Sequence, residues 1–464
     1  MISIYNSLTS KKEVFEPIYP DQVGIYTCGP TVYDRVHLGN LRAFTNADVF
    51  RRVFEYNNYS VKQVINITDV GHLTSDGDDG EDKMEKRAKE RKSSASELAQ
   101  IYTDAFFEDI KALNVRTENT LFPKATDHIK EQIEIIKKLE EKGFTYKTSD
   151  GIYFDTSKLS NYDAFQTVGN SLKQGARIEI NSEKMHPNDF ALWKFSPLQV
   201  KRQQEWDSPW GVGFPGWHLE CSAMSMKYLG EQFDIHTGGI DHKFPHHPNE
   251  IAQSESATGK KPFVRYWMHI EFMSVDNKKM AKSEGNFFTL GDLNDKGFSP
   301  LSFRYFVLGA HYRSPINFTW QALRGASNAY NKLLEHVKDL YQEESPEAEP
   351  DSDYLEAFNE SINNDFDTPV ALALLWKLVK DKKIKNDVKL ATIKNFDEVM
   401  GLSLTNSPMV EITIPEEVEK LVEKREKARA AKKWNESDDL RDKIKEKGFN
   451  VKDTPNGPKL EKLS

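Results

Sequence analysis

Two spacings of apolar residues alternate along the first part of this chain, one suited to strands and one to helices. Val23 to Tyr26 and Val61 to Thr68 are short apolar runs of strand length. Leu41 to Tyr56 and Glu81 to Leu113 carry helical spacing. So does Ala125 to Gly143, with an apolar stripe at Ile129, Ile133, Ile136 and Leu139. Strand-like runs resume at Phe233 to His236 and Phe263 to His269. This alternation predicts an α/β fold, a doubly wound parallel sheet that takes ligands at the carboxyl ends of its strands. Phe144 to about Pro209 breaks the pattern with short pieces such as Gly151 to Phe154 and many turn residues, as an insertion does. From Pro300 the spacing is helical. Glu343 to Asp353 is acidic and reads as an exposed loop. Asp367-Thr368-Pro369 opens the apolar helix Val370 to Val379 with a cap and a first-turn proline. Thr405 to Pro408 sets off a small terminal unit.

Composition narrows the class. Of 464 residues 38% are hydrophobic and 29% charged, and no run of about 18 apolar residues is long enough to cross a membrane. Met1 to Tyr5 lacks the basic and apolar stretches of a signal peptide, so the expected location is the cytoplasm. A net charge of −9 speaks against nonspecific nucleic-acid binding. Residues 421–464 reverse that sign, with 13 Lys and Arg against 9 Asp and Glu. An acidic partner or a solvated helix pair would account for it equally.

Four stretches carry candidate chemistry. Thr27 to Asn40 passes from strand to helix through a turn, a natural anion site in which Gly39 allows close approach and His37 can donate to phosphate. The only cysteines are Cys28 and Cys221. His246 and Glu250, four residues apart, share one face of a helix that starts near Pro248. Together Cys28, Cys221, His246 and Glu250 offer two thiolates, an imidazole and a carboxylate, a set suited to zinc. His247 is a rival, about 100° round the helix. Buried thiols with a helix-capping histidine are the plain alternative. Lys278, Lys279 and Lys282 form a cluster fit for a triphosphate or for a solvated loop. In Gly238-Gly239-Ile240-Asp241 the acid can accept from a ribose hydroxyl, or the glycines can form an ordinary turn.

His37-Leu38-Gly39-Asn40 resembles the HIGH signature of the class I aminoacyl-tRNA synthetases, with Asn40 in place of the second histidine. Lys279-Met280-Ala281-Lys282-Ser283 resembles their KMSKS signature, with Ala281 in place of its first serine. Cys28, Gly216 to Cys221 and Phe244 to Glu250 resemble the cysteine-specific branch in particular. The likeness extends through Asn66 to Asp69, Arg304 to Ser314, Asp365 to Pro369, and Lys433-Trp434 with Asp438 and Leu440 to Asp442. Residues 410 to 464 set the chain apart from relatives that join cysteine to an amino sugar derivative.

The resemblance implies a Rossmann-like catalytic domain over 1–120 and 210–300, with a connective insertion over 121–209. A stem-contact segment and helical bundle follow over 301–404, then a small tRNA-binding domain over 405–464. It implies a ligase acting on L-cysteine, ATP and tRNA(Cys), a monomer with one Zn²⁺ per chain and Mg²⁺ accompanying ATP. His37, Asn40, Lys279 and Lys282 take the catalytic roles; Gly39 and Asp241 join His37, Asn40 and Lys282 on ATP. Gly29, Thr68 and Trp217 flank the amino acid, and Cys28, Cys221, His246 and Glu250 hold the zinc. Trp434, Asp438 and Arg441 meet unpaired bases of the anticodon. A pocket of shape alone would separate cysteine from serine only about 10- to 200-fold, which is the reason for a metal that prefers sulfur.

Overall fold

The computed structural model describes residues 1–71, 82–160, 162, 183–197, 202–280, 284–341, 348–405, 415–454 and 457–462. Two compact units result: Met1–Gly291 with Pro300–Thr405, and Asn406–Ser464 with Asp292–Ser299.

The first unit is built on a five-stranded parallel sheet. Its order from one edge is Val264–Ile270, Phe233–Gly239, Gln22–Thr27, Ser60–Ile65, Thr120–Leu121. The first strand in sequence lies at the centre and the winding reverses beside it, between Gln22–Thr27 and Phe233–Gly239. Ligands of doubly wound sheets bind at that reversal. Both faces are covered. Val23, Ile25 and Ile235 join a core with Phe50 and Phe54 of the Leu38–Tyr56 helix and with Leu333, Phe358 and Phe396 of the helical region. Tyr26, Val64 and Trp267 join a second core with Ile136, Leu219 and Met224. Residues buried on both sides explain why these strands read as continuous apolar runs.

Three elements differ from the sequence pattern. The stretch 81–113 forms two helices, Lys83–Arg91 and Ala95–Ala112. Lys92 adopts a left-handed conformation, and Ser94 caps the second helix in a reciprocal pair with Glu97. Ala125–His128 is a 3₁₀ turn before the Ile129–Glu141 helix, which buries Ile135 as well as Ile136 and Leu139. The insertion forms an antiparallel sheet of Thr145–Lys147, Gly151–Phe154, Phe190–Phe195 and Gly213–Pro215. Its last strand lies beyond residue 209 because three residues containing Gly and Pro carry no strand pattern.

A small sheet pairs Met273–Val275 with Lys278–Lys279 on one side and Ile316–Phe318 on the other. Helices Pro300–Leu308, Trp320–Leu340, Ser352–Asn363, Thr368–Lys380 and Asn386–Met400 follow. Asp367 caps the fourth through Val370 N, as its sequence indicates. Most of the Gly/Asp-rich loop after Val70, and the acidic segment from Gln342 to Glu347, lie outside the described residues.

In the second unit, helices Glu416–Ala430 and Trp434–Glu446 are followed by a hairpin of Phe449–Thr454 and Gly457–Lys462. Val418, Ile444, Phe449 and Val451 form its core.

Candidate active site and metal centre

The crevice beside the central strand holds a cavity of about 390 Å³. At one end lies the start of the Leu38–Tyr56 helix. His37, not a residue near Leu41, is the N-cap. Its Nδ1 accepts from Asn40 N at 3.2 Å, and Asn40 Oδ1 accepts from His37 N at 3.4 Å. Gly39 makes room for this arrangement, since a Cβ there would lie 2.8 Å from the His37 ring. Burial lowers the His37 pKa, against the pull of Asp241. The ring is therefore neutral at pH 7, and with Nδ1 accepting it carries its proton on Nε2 as a donor. Asp241, Lys279 and Met280 line the same cavity. Ala281, Lys282 and Ser283 lie outside the described residues.

The other end is built from Gly29, Asn66, Thr68, Trp217 and Cys221. Asn66 Oδ1 accepts from Gly29 N at 2.8 Å, and Asn66 Nδ2 donates to Thr68 Oγ1 at 2.9 Å. Thr68 in turn donates to the buried Glu220 at 2.9 Å. Position 29 admits only glycine, because a Cβ would meet Asn66 O at 1.5 Å. The Trp217 ring stands 4.8 Å from the ring of His246.

Below this end the potential ligand atoms of Cys28, Cys221, His246 and Glu250 all lie within 4.8 Å of one another. Cys28, His236, His247 and Glu250 form a second, overlapping group of the same spread. Cys221 Sγ is 3.6 Å from His246 Nε2, and Cys28 Sγ is 3.5 Å from His247 Nε2. Glu250 is fully buried; one oxygen contacts His236 Nε2 at 2.9 Å. The other lies 3.2 Å from His246 Nε2 without hydrogen-bond geometry and is left unsatisfied. Burial pushes the Glu250 carboxyl upward, but His236 and His246 outweigh it and hold it near about 2. Contact with Cys28 lowers Cys221 to about 7 against burial, while burial and Cys221 raise Cys28. Two sulfurs, an imidazole and a carboxylate form a cluster able to bind a metal ion. Only the first group has three members on the cavity wall, namely Cys28, Cys221 and His246.

A family model described as the tRNA synthetases class I (C) catalytic domain matches residues 14–328. The cysteinyl-tRNA ligase anticodon binding domain matches 413–457. A cysteine–tRNA ligase 1 of Burkholderia lata is 47% identical over 461 residues, 99% of this chain and 96% of that one. The chain belongs to the cysteine–tRNA ligase family of class I synthetases. The cysteine–tRNA ligase of Treponema denticola is 42% identical, over 97% of this chain and 98% of its own. A Mycobacterium tuberculosis methionyl-tRNA synthetase bound to methionyl-adenylate shares the fold at TM-score 0.56. It has 14% identity and covers 82% of this chain and 90% of its own. An Agrobacterium radiobacter LeuRS gives 0.58 at 10% identity, with 84% and 85% covered.

The three residues that the resemblance assigns to tRNA lie on one helix of the second unit. Trp434 is its first residue and 59% exposed, and Asp438 is exposed one turn on. Arg441, a further turn along, is 3.3 Å from Asp453, which also binds Arg425 and Arg429. In the first unit the fold brings four further side chains to this region, Asn66, His218, Glu220 and His236; the first three fall within stretches that carry the resemblance, without a role assigned there. His218 meets the His246 Nδ1 at 2.7 Å. It precedes Cys221 by one helical turn, a spacing that could have flagged it.

Proposed function

We propose that this chain activates L-cysteine with ATP and transfers the cysteinyl group to the 3′ end of tRNA(Cys). One observation carries this: a single cavity joins a phosphate-binding helix start to a sulfur-rich donor set, in a member of this family. The substrate carboxylate attacks the α-phosphorus; an acyl–phosphate bond forms as the bond to pyrophosphate breaks. His37 Nε2–H and the Asn40 amide would hold the phosphates, with Lys279 and Lys282 taking up charge on the departing pyrophosphate. Asp241 would accept from the ribose, and Mg²⁺ accompanies ATP. Gly29, Thr68 and Trp217 would orient the amino acid so that its carboxylate reaches phosphorus.

Cys28, Cys221, His246 and Glu250 would hold one Zn²⁺ per chain. The residues fit the ion: Glu250 keeps a buried oxygen unsatisfied while His236 occupies the other. Bound there, zinc would supply a preference for a sulfur anion over a serine hydroxyl near neutral pH. His247 would stay outside the set, because it does not line the cavity that His246 lines. Trp434, Asp438 and Arg441 would read the anticodon. The enzyme would work as a monomer in the cytoplasm. The test is transfer of labelled cysteine to tRNA(Cys) in the presence of ATP. Acid-precipitable product is expected with tRNA and cysteine, and its absence would overturn the assignment.

A further inference from the structure

The Leu38–Tyr56 helix carries a buried cation that the chemistry above does not use. Arg42 is 1% exposed and lies one turn beyond Leu38. Its Nη1 donates to the carbonyls of Glu271 and Phe272, each at 2.7 Å. Its Nη2 donates to Ser314 O at 2.5 Å, with Tyr312 O at 3.3 Å and His311 O at 3.4 Å. Burial brings the guanidinium down to about 10, Glu271 opposing, so it remains a cation at neutral pH. Every one of these partners is a main-chain carbonyl. Partial charges from five peptide groups surround the guanidinium, an arrangement that suits its planar fork.

The carbonyls belong to two strand roots. Glu271 and Phe272 directly precede Met273–Val275, and Ser314 stands two residues before Ile316–Phe318. These strands pair in parallel, Met273 opposite Ile316. Met273–Val275 then pairs with Lys278–Lys279, Ser274 opposite Lys279. One guanidinium thus fastens both strands behind Lys279 to the helix whose first turn carries His37 and Asn40. The same helix start is held again on the far side of the lysines. Leu38 N donates to Phe288 O at 2.9 Å, and the Phe287 ring meets the His37 ring edge-on at 5.1 Å.

From this geometry we propose that Arg42 is a positioning residue for adenylate formation, fixing the separation of Lys279 from the His37–Asn40 turn across the triphosphate end of the cavity. The proposal rests on the adenylation reaction stated above. A displacement of about 1 Å in such a group costs on the order of 100-fold in rate. Lysine keeps the charge but has one ammonium, which cannot span two strand roots. Glutamine loses the charge and brings a carbonyl oxygen among carbonyl partners.

The test is a double-mutant cycle in cysteine-dependent ATP–pyrophosphate exchange, using wild type, Arg42→Lys, Lys279→Ala and the double variant. Each protein is checked by thermal melt and metal content, and Arg42→Gln serves as a second variant. Arg42→Lys is expected to lower the exchange kcat by on the order of 100-fold, with KM for cysteine and bound metal as in wild type. In the Lys279→Ala background the same substitution should cost less than about threefold, because the two residues act as one device. Arg42→Gln should lose at least as much as Arg42→Lys. Additive losses, or a loss shared equally by KM for cysteine, would overturn the positioning role. No loss in Lys279→Ala would also overturn it, whereas no exchange by the wild type would instead overturn the adenylation assignment beneath it.

Discussion

Glu250 is a carboxylate with no exposure, set behind the cavity wall. Such a group keeps its charge only where cations or a metal compensate it. Here His236 takes one oxygen and the other is left beside His246 and the two sulfurs. Cys221 is the proposed ligand whose loss is most diagnostic, because serine preserves its volume and removes its affinity for a soft metal. Cys221→Ser is therefore expected to lose its bound zinc and to lower cysteine activation by on the order of 100-fold or more, with an unchanged circular dichroism spectrum. Full metal content with normal exchange would contradict that. His246 and Glu250 are legible in the sequence because they stand four apart on a helix, and the cysteines because there are only two. His218 is marked only by its helical-turn spacing from Cys221, and His236 by none, because its hydrogen bond to Glu250 joins separate elements.

At the scale of elements, the Leu38–Tyr56 helix ties the sheet to the helical region. Asp48 on it accepts from Arg52 at 2.7 Å, from Arg304 at 2.6 Å and from Arg116 N at 2.8 Å, all buried or nearly so. Burial raises the Asp48 carboxyl, but Arg52 and Arg304 outweigh it and the pKa falls below the usual value. Its contribution is thus fully present above about pH 4, the unfolded carboxylate value, and is lost as pH falls through the depressed folded one. Asp48→Asn should lose about 3–5 kcal/mol at pH 7, since two buried guanidinium groups lose their counter-charge. The gap to wild type should narrow as acid protonates the native carboxylate. Denaturant midpoints at pH 7 and pH 3 check this; a gap independent of pH would contradict it. Four of the five strands of the parallel sheet and most helices are legible from periodicity. The break at Lys92 is missed because charged residues keep helical spacing across it, although Ser94 and Glu97 form a capping pair that marks a new start.

At the scale of the molecule, the chain divides its chemistry between two compact units. The reversed charge of residues 421–464 is legible in composition, as is their helix pair. The hairpin Phe449–Thr454 with Gly457–Lys462 is not, because lysines and prolines there mask the alternation. Trp434 stands exposed rather than in a core, which leaves its ring available for stacking. Trp434→Ala should lower kcat/KM for tRNA(Cys) by about 5- to 150-fold, the loss of one stacked base, and leave exchange untouched. Equal effects on both reactions would contradict a role confined to tRNA. The central claim is that a metal held by Cys28, Cys221, His246 and Glu250 selects the sulfur of the substrate. Zinc content measured together with ATP–pyrophosphate exchange on cysteine, with serine as control, tests it most directly. The account predicts about one zinc per chain and exchange with cysteine alone. Exchange without zinc, or equal exchange with serine, would contradict it.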